Sequence, residues 1–118
     1  MNIKKLLNSF RFAGEGLVAV FRSEQNFKIE TGISILVIAL MFFLKTTTTH
    51  TIILLMLISS VLTMEILNTI LEYLLDINSK RKNKKFKFLK DTMAAAVLIN
   101  VITAVVIGVI IFIPYFFE

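Results

Sequence analysis

Residues 64–76 read MEILNTILEYLLD. They lie in an apolar block, residues 52–75, long enough for a bilayer span of about 20 residues. Yet the stretch carries Glu65, Asn68, Glu72 and Asp76. At about 100° per residue, with Glu65 at zero, Asn68 falls near about −60°, Glu72 near about −20° and Asp76 near about +20°. The four polar groups therefore share one sector of a helix, about 80° wide and about 16 Å long. Leu, Ile, Met and Tyr fill the rest of its circumference. A carboxylate near the bilayer centre costs roughly 2.5–3.5 kcal/mol on insertion scales. Such a row cannot face lipid, so the block predicts a helix packed against others.

The chain around it has 118 residues, enough for one domain. Its apolar share of 57% and mean hydropathy of +0.84 exceed those of soluble domains, and the excess falls in three long blocks. These observations predict an all-α membrane protein. The first block, IETGISILVIALMFFL at 29–44, is short and has to borrow residues at both ends. The TTTTHT run at 46–51 then reads as a tight polar turn, with His50 a solvated histidine. The third block, 93–117, ends in Pro114 and a cluster of aromatics suited to a membrane interface. Within it, Asn100 is expected to hydrogen-bond a neighbouring helix. Ahead of the blocks, Ile3, Leu6, Leu7, Phe10, Ala13, Leu17 and Phe21 recur at helical spacing. Polar residues fall mostly opposite, the pattern of an amphipathic helix lying in the interface. The expected elements are an interfacial helix over 3–24 and membrane helices over 28–45, 51–77 and 88–117, all in one domain.

Charge sets the expected topology. Residues 1–30 carry Lys4, Lys5, Arg11, Arg22 and Lys28, and the 80–90 run KRKNKKFKFLK carries seven more cations. The threonine turn has Lys45 at its border and none inside. The positive-inside rule then places the N-terminus and the basic loop in the cytoplasm. Lys4 and Lys5 are followed by Asn8, Arg11 and Glu15 rather than an apolar core, so the N-terminus reads as retained. The net charge of +5 is first a matter of topology and anionic lipid. There is no cysteine, which excludes disulfides and thiolate metal sites. No G-x-x-x-x-G-K-[ST] loop occurs, which excludes a P-loop kinase.

Acids at a membrane boundary are hard oxygen ligands and suit Mg²⁺, which commonly binds one or two carboxylates plus substrate phosphates. Glu65, the deepest on the stripe, is shielded from water and suited to proton transfer. Glu72, shallower, reads as a metal ligand, and Glu24, just ahead of the first block, as its partner.

The run Glu65-Ile66-Leu67-Asn68-Thr69-Ile70-Leu71-Glu72-Tyr73-Leu74-Leu75-Asp76 resembles the core pattern of the small prokaryotic diacylglycerol kinases, a family that includes undecaprenol kinases. Glu24-Gln25-Asn26-Phe27 matches the upstream E-x-x-F element, and Lys90-Asp91 the downstream K-D pair. The chain departs from the family after that pair, where Thr92-Met93-Ala94-Ala95-Ala96 stands, without glycine, in place of the usual glycine or other small residues. The resemblance implies a homotrimer with sites between subunits, and phosphoryl transfer from Mg-ATP to the primary alcohol of a membrane lipid. It implies Glu65 as base, Asn68 as positioning residue, and Glu24 and Glu72 as metal ligands. It places Asp76, Lys90 and Asp91 around the nucleotide, with Lys5, Phe12, Arg81, Lys82 and Asn83 also reaching ATP. The rival reading is a non-catalytic helical oligomer whose carboxylates line a cation path.

Overall fold

The computed structural model describes residues 2–78 and 84–117. Four helices account for nearly all of them: α1 (Ile3–Ser23), α2 (Gln25–Leu44), α3 (Thr48–Asn78) and α4 (Lys84–Phe117). No strand occurs among the described residues.

Helix α1 starts at Asn2, whose side chain accepts a hydrogen bond from the Lys5 N–H at 3.3 Å. It buries no residue. Ile3, Leu6, Leu7, Phe10, Leu17 and Phe21 are all exposed along it, so its apolar face is left uncovered by the described residues. Glu24 then breaks the helix. Its backbone is extended (φ −114°, ψ 113°), its N–H donates to the Val20 carbonyl at 2.9 Å, and its own carbonyl accepts from Lys28 N–H at 3.2 Å. One residue thus closes α1 and opens α2.

Helices α2, α3 and α4 are each long and apolar enough to cross a membrane. Antiparallel neighbours follow from the short α2–α3 connection. Helix α3 is the central one, packed most extensively against α4 and next against α2. Most of their large apolar side chains face outward, as they do where the solvent is hydrocarbon. The 34 residues of α4 rise about 51 Å, most of the 57 Å long axis of the molecule.

The packed centre is small. Met41, Leu54 and Ile111 are buried together, one from each membrane helix, with Val37, Ile38, Ile53, Leu57, Ile107, Phe112 and Tyr115 around them. Asn100 meets Ser60 across α3 and α4 at 3.4 Å, the interhelical contact expected of it.

The starts of α2, α3 and α4, at Gln25, Thr48 and Lys84, fall earlier than the expected 28, 51 and 88. The threonine run is only briefly a turn, because the Thr47 hydroxyl accepts from the His50 N–H at 3.2 Å and starts α3 at Thr48. Lys45 makes the reversal in the left-handed region (φ 52°), with its N–H bonded to the Met41 carbonyl. The basic run is helical from Lys84 onward rather than a loop through residue 90, since lysine is a good helix former and Lys87 pairs with Asp91 one turn on. Pro114 lies inside α4, which ends at Phe117 as expected.

His50 also departs from the expected solvated histidine. It is half-buried, its Nδ1 lies 2.7 Å from the Tyr115 hydroxyl, and the two rings meet edge to face at 5.6 Å. Tyr115 also accepts from the Thr47 N–H at 3.0 Å.

Candidate active site

The carboxylates gather at the opposite end of the bundle from this turn. At that end α3 buries Glu65 and Thr69, half-buries Asn68 and leaves Glu72 and Asp76 exposed. Glu65 is only 3% exposed, and Thr69, one turn on, is equally buried and returns its hydroxyl to the Glu65 carbonyl at 3.0 Å. That bond satisfies the threonine without engaging the Glu65 carboxylate. Asn68 donates its amide to Glu72 Oε1 at 3.2 Å. The i, i+4 spacing dictates this contact, and it fixes the Glu72 carboxylate beside the stripe.

The hinge brings Glu24 to the same place. The charges of Glu24 and Glu72 both act on Glu65. So the two acids expected to share a metal flank the acid expected to act as base. Asp76 lies farther along α3, where Lys90 of α4 donates to its Oδ1 at 2.9 Å. The Lys90 ammonium also feels Glu72. Asp91 is taken up by Lys87 of its own helix.

Lys5 and Phe12 are exposed on α1. They stand about 28 Å and about 18 Å along that helix from the hinge, and Phe12 lies under the Arg11 guanidinium at 5.2 Å. Neither shares a described contact with the stripe. Arg81, Lys82 and Asn83 lie outside the described residues.

The sequence reading missed Glu30. It is half-buried on α2, with Oε2 wholly covered and without a hydrogen-bond partner among the described residues. The Glu65 charge acts on it across the helix pair. The signal was present: Glu30 is the only acid in the first apolar block, and it stands six residues after Glu24. Attention to periodicity within α3 gave no reason to ask what faces Glu65 from α2.

Glu30 also stands at one end of an apolar groove of about 320 Å³ between the three membrane helices, where Ser34 and Val37 of α2, Leu57 of α3 and Phe112 of α4 are among the walls. An acid cluster thus opens onto a space for hydrocarbon.

The acids fit one divalent cation with help from a ligand. Among the described residues, no three His, Cys, Asp or Glu side chains stand close enough to hold a metal unaided. Two carboxylates completed by phosphate oxygens is the usual arrangement for Mg²⁺, and Glu24 and Glu72 supply that number.

The sequence model of the prokaryotic diacylglycerol kinase family matches residues 11–112. That range runs from the middle of α1 nearly to the end of α4 and holds every candidate residue but Lys5. The chain is 28% identical over 112 residues to the undecaprenol kinase of Bacillus subtilis, covering 95% of this chain and 91% of that protein. It is 33% identical over 110 residues to a diacylglycerol kinase of Synechocystis, covering 92% of this chain and 63% of that protein. The cation-path alternative has no such support. The chain belongs to the prokaryotic diacylglycerol kinase family and is an ATP-dependent lipid kinase of the membrane.

Proposed function

We propose that this single domain transfers the γ-phosphate of Mg-ATP to the primary hydroxyl of undecaprenol or diacylglycerol. The observation that carries the reading is Glu65: a carboxylate 3% exposed inside a membrane helix bundle, flanked by the charges of Glu24 and Glu72. Nothing structural requires an acid there, and proton transfer does.

In this reading Glu65 takes the hydroxyl proton as the lipid oxygen bonds to the γ-phosphorus and the bond to the ADP oxygen breaks. Glu24 and Glu72 hold Mg²⁺, which supplies charge neutralisation for the phosphates. Asn68 keeps Glu72 oriented through its 3.2 Å hydrogen bond. Lys90, held near Asp76 and Glu72, offers a cation to the phosphates, and Asp91, Arg81, Lys82 and Asn83 complete the nucleotide surroundings.

The chain sits in the bacterial cell membrane, with the N-terminus and the basic segment in the cytoplasm where ATP is. The exposed apolar face of α1 rests on the membrane surface, where its uncovered Leu and Phe side chains meet lipid. Three copies assemble with sites between subunits. Glu72 and Asp76, exposed on the single chain, support this, because a carboxylate row in a membrane bundle calls for a neighbour or a substrate to cover it.

The test is ATP consumption by purified protein in mixed micelles, with no lipid alcohol, with diacylglycerol and with undecaprenol. Turnover that depends on one of the alcohols and on Mg²⁺ is the expected result. Equal ATP consumption without any alcohol would sink the reading.

A further inference from the structure

The apolar groove has two ends of different kind. At one stands Glu30, coupled to Glu65. At the other, each wall changes character one helical turn on. Leu54 of α3 gives way, four residues back, to His50. Phe112 of α4 gives way, three residues on, to Tyr115, and Val37 of α2, four residues on, to the buried Met41. Residues three or four apart share a helix face, so these three lie directly in the groove's path. The Tyr115 ring packs on the Met41–Leu54–Ile111 cluster. Its hydroxyl is held twice, by the Thr47 N–H at 3.0 Å and by His50 Nδ1 at 2.7 Å. A ring wedged on a buried cluster and tied by two hydrogen bonds is a wall.

We propose that His50 and Tyr115 form a stop that sets how much of the lipid's tail the groove accepts. The inference rests on the lipid-kinase reading. The occupant is the first part of that tail, because the groove is continuous with the carboxylates at which the alcohol would react. Along α4 the lining runs from Val101 to Phe112, a rise of about 17 Å, against about 30 Å for the hydrocarbon core. A tail longer than the groove must turn out into the bilayer at the stop. The enzyme then reads the alcohol-proximal segment and ignores the rest. Tyr115 lies beyond the residues that the family model matches, and His50 lies within them.

The test uses prenols of increasing length: geraniol, farnesol, geranylgeraniol and undecaprenol. For the wild type, kcat/KM should rise with length and then level off. Tyr115→Phe keeps the ring and removes both hydrogen bonds, and His50→Ala removes one bond and opens space. Each should move the levelling-off at least one member toward longer prenols. The gain at that member should be about threefold, modest because bilayer lipid is as apolar as the groove. KM for ATP should stay within about twofold.

A second readout needs no turnover. The chain has two tyrosines and no tryptophan, so in Tyr73→Phe the remaining tyrosine fluorescence reports Tyr115. Its emission should respond to prenols long enough to reach the stop and not to geraniol. An active enzyme whose length profile is the same in both stop variants overturns the stop and leaves the kinase reading intact. A wild type inactive on every prenol whose Tyr115 emission still depends on prenol length overturns undecaprenol as the substrate and leaves the stop. Emission that follows protein concentration and ignores prenol length assigns the groove to a second copy of the chain, and overturns the proposal.

Discussion

The two ends of the bundle are built on opposite rules. At the threonine end polar groups of the turn pair with near neighbours: Thr46 with Thr51 at 2.7 Å, Thr47 with His50, and Tyr115 with both Thr47 and His50. Apolar side chains from three helices close over one another there. At the carboxylate end, Glu65 is buried with acids around it, Glu30 has a covered oxygen with no partner among the described residues, and the ion pairs Lys90–Asp76 and Lys87–Asp91 are exposed. The first end is finished by the chain's own atoms, while the second has charges in excess of what folding needs. Buried like charges destabilise a fold, so their presence supports the proposal that the chemistry lies at this end.

The largest expected effect separates the two ends most sharply. Glu65→Gln keeps the shape and removes the proton acceptor. Its kcat should fall by about 10²–10⁴, the range for losing a general base, while ATP binding persists. Thermal stability should not fall, because one member of a crowded acid set becomes neutral. A variant that keeps kcat would refute Glu65 as base. One that loses activity together with helicity would make Glu65 a packing residue, and erase the contrast between the ends.

Next in size is the metal requirement. Glu24→Ala and Glu72→Ala should each raise the Mg²⁺ concentration for half-maximal activity by about tenfold or more, and the double variant should fall well short of the product. Additive losses at unchanged Mg²⁺ dependence would separate the two acids. Because the Glu24 backbone also forms the hinge between α1 and α2, Glu24→Gln belongs beside it. The amide leaves the hinge backbone in place and removes the ligand charge.

How far the sequence disclosed this arrangement depended on whether a feature is periodic. The stripe from Glu65 to Asp76 repeats on one helix, so helical geometry alone brought it together, and the Asn68–Glu72 contact follows from four-residue spacing. The three long apolar helices were legible for the same reason. Glu30 was not, because its importance lies in what faces it from α3, and pairing between helices leaves no period in either. His50 and Tyr115 are 65 residues apart, and only the closed turn at Lys45 and the length of α4 bring them together. The basic run looked like a loop because its charges suggested solvent. Lysine is nevertheless at home in a helix, and Lys87 finds Asp91 four residues on.

The threonine end should respond in stability where the other responds in rate. Met41→Ala and Leu54→Ala each empty part of the buried cluster. In a soluble core such changes cost about 2–5 kcal/mol, partly from transfer to water and partly from the cavity. Here the surrounding lipid is as apolar as the side chain, so the cavity part dominates and about 1–3 kcal/mol is expected. Unfolding in mixed micelles measures it. Activity per folded molecule on a short prenol should stay near wild type. A large drop in that activity at unchanged stability would mean that the cluster serves the chemistry, and the division between the ends would fail.

The smallest expected signal asks whether the carboxylate end is finished by one chain or by two. Glu65 and Glu72 are seven residues apart on α3, with their charges coupled, so within any one site both come from the same chain. Lys90 is the group to test. It lies on α4 and reaches Asp76 within its own chain through an exposed pair, a contact that water screens and a nucleotide phosphate can displace. If sites are shared, Lys90 of one copy serves the Glu65 of its neighbour. Co-assembled Glu65→Gln and Lys90→Ala chains, each inactive alone, should then recover a fraction of wild-type turnover, because some interfaces pair an intact Glu65 with an intact Lys90. The fraction should follow the mixing ratio and vanish when either variant is in large excess. If sites lie within one chain, every site in the mixture lacks one of the two groups and no ratio restores activity. The covered oxygen of Glu30 would then need its partner from the substrate alone. In that case Glu30→Gln should change KM for the lipid alcohol while leaving assembly untouched.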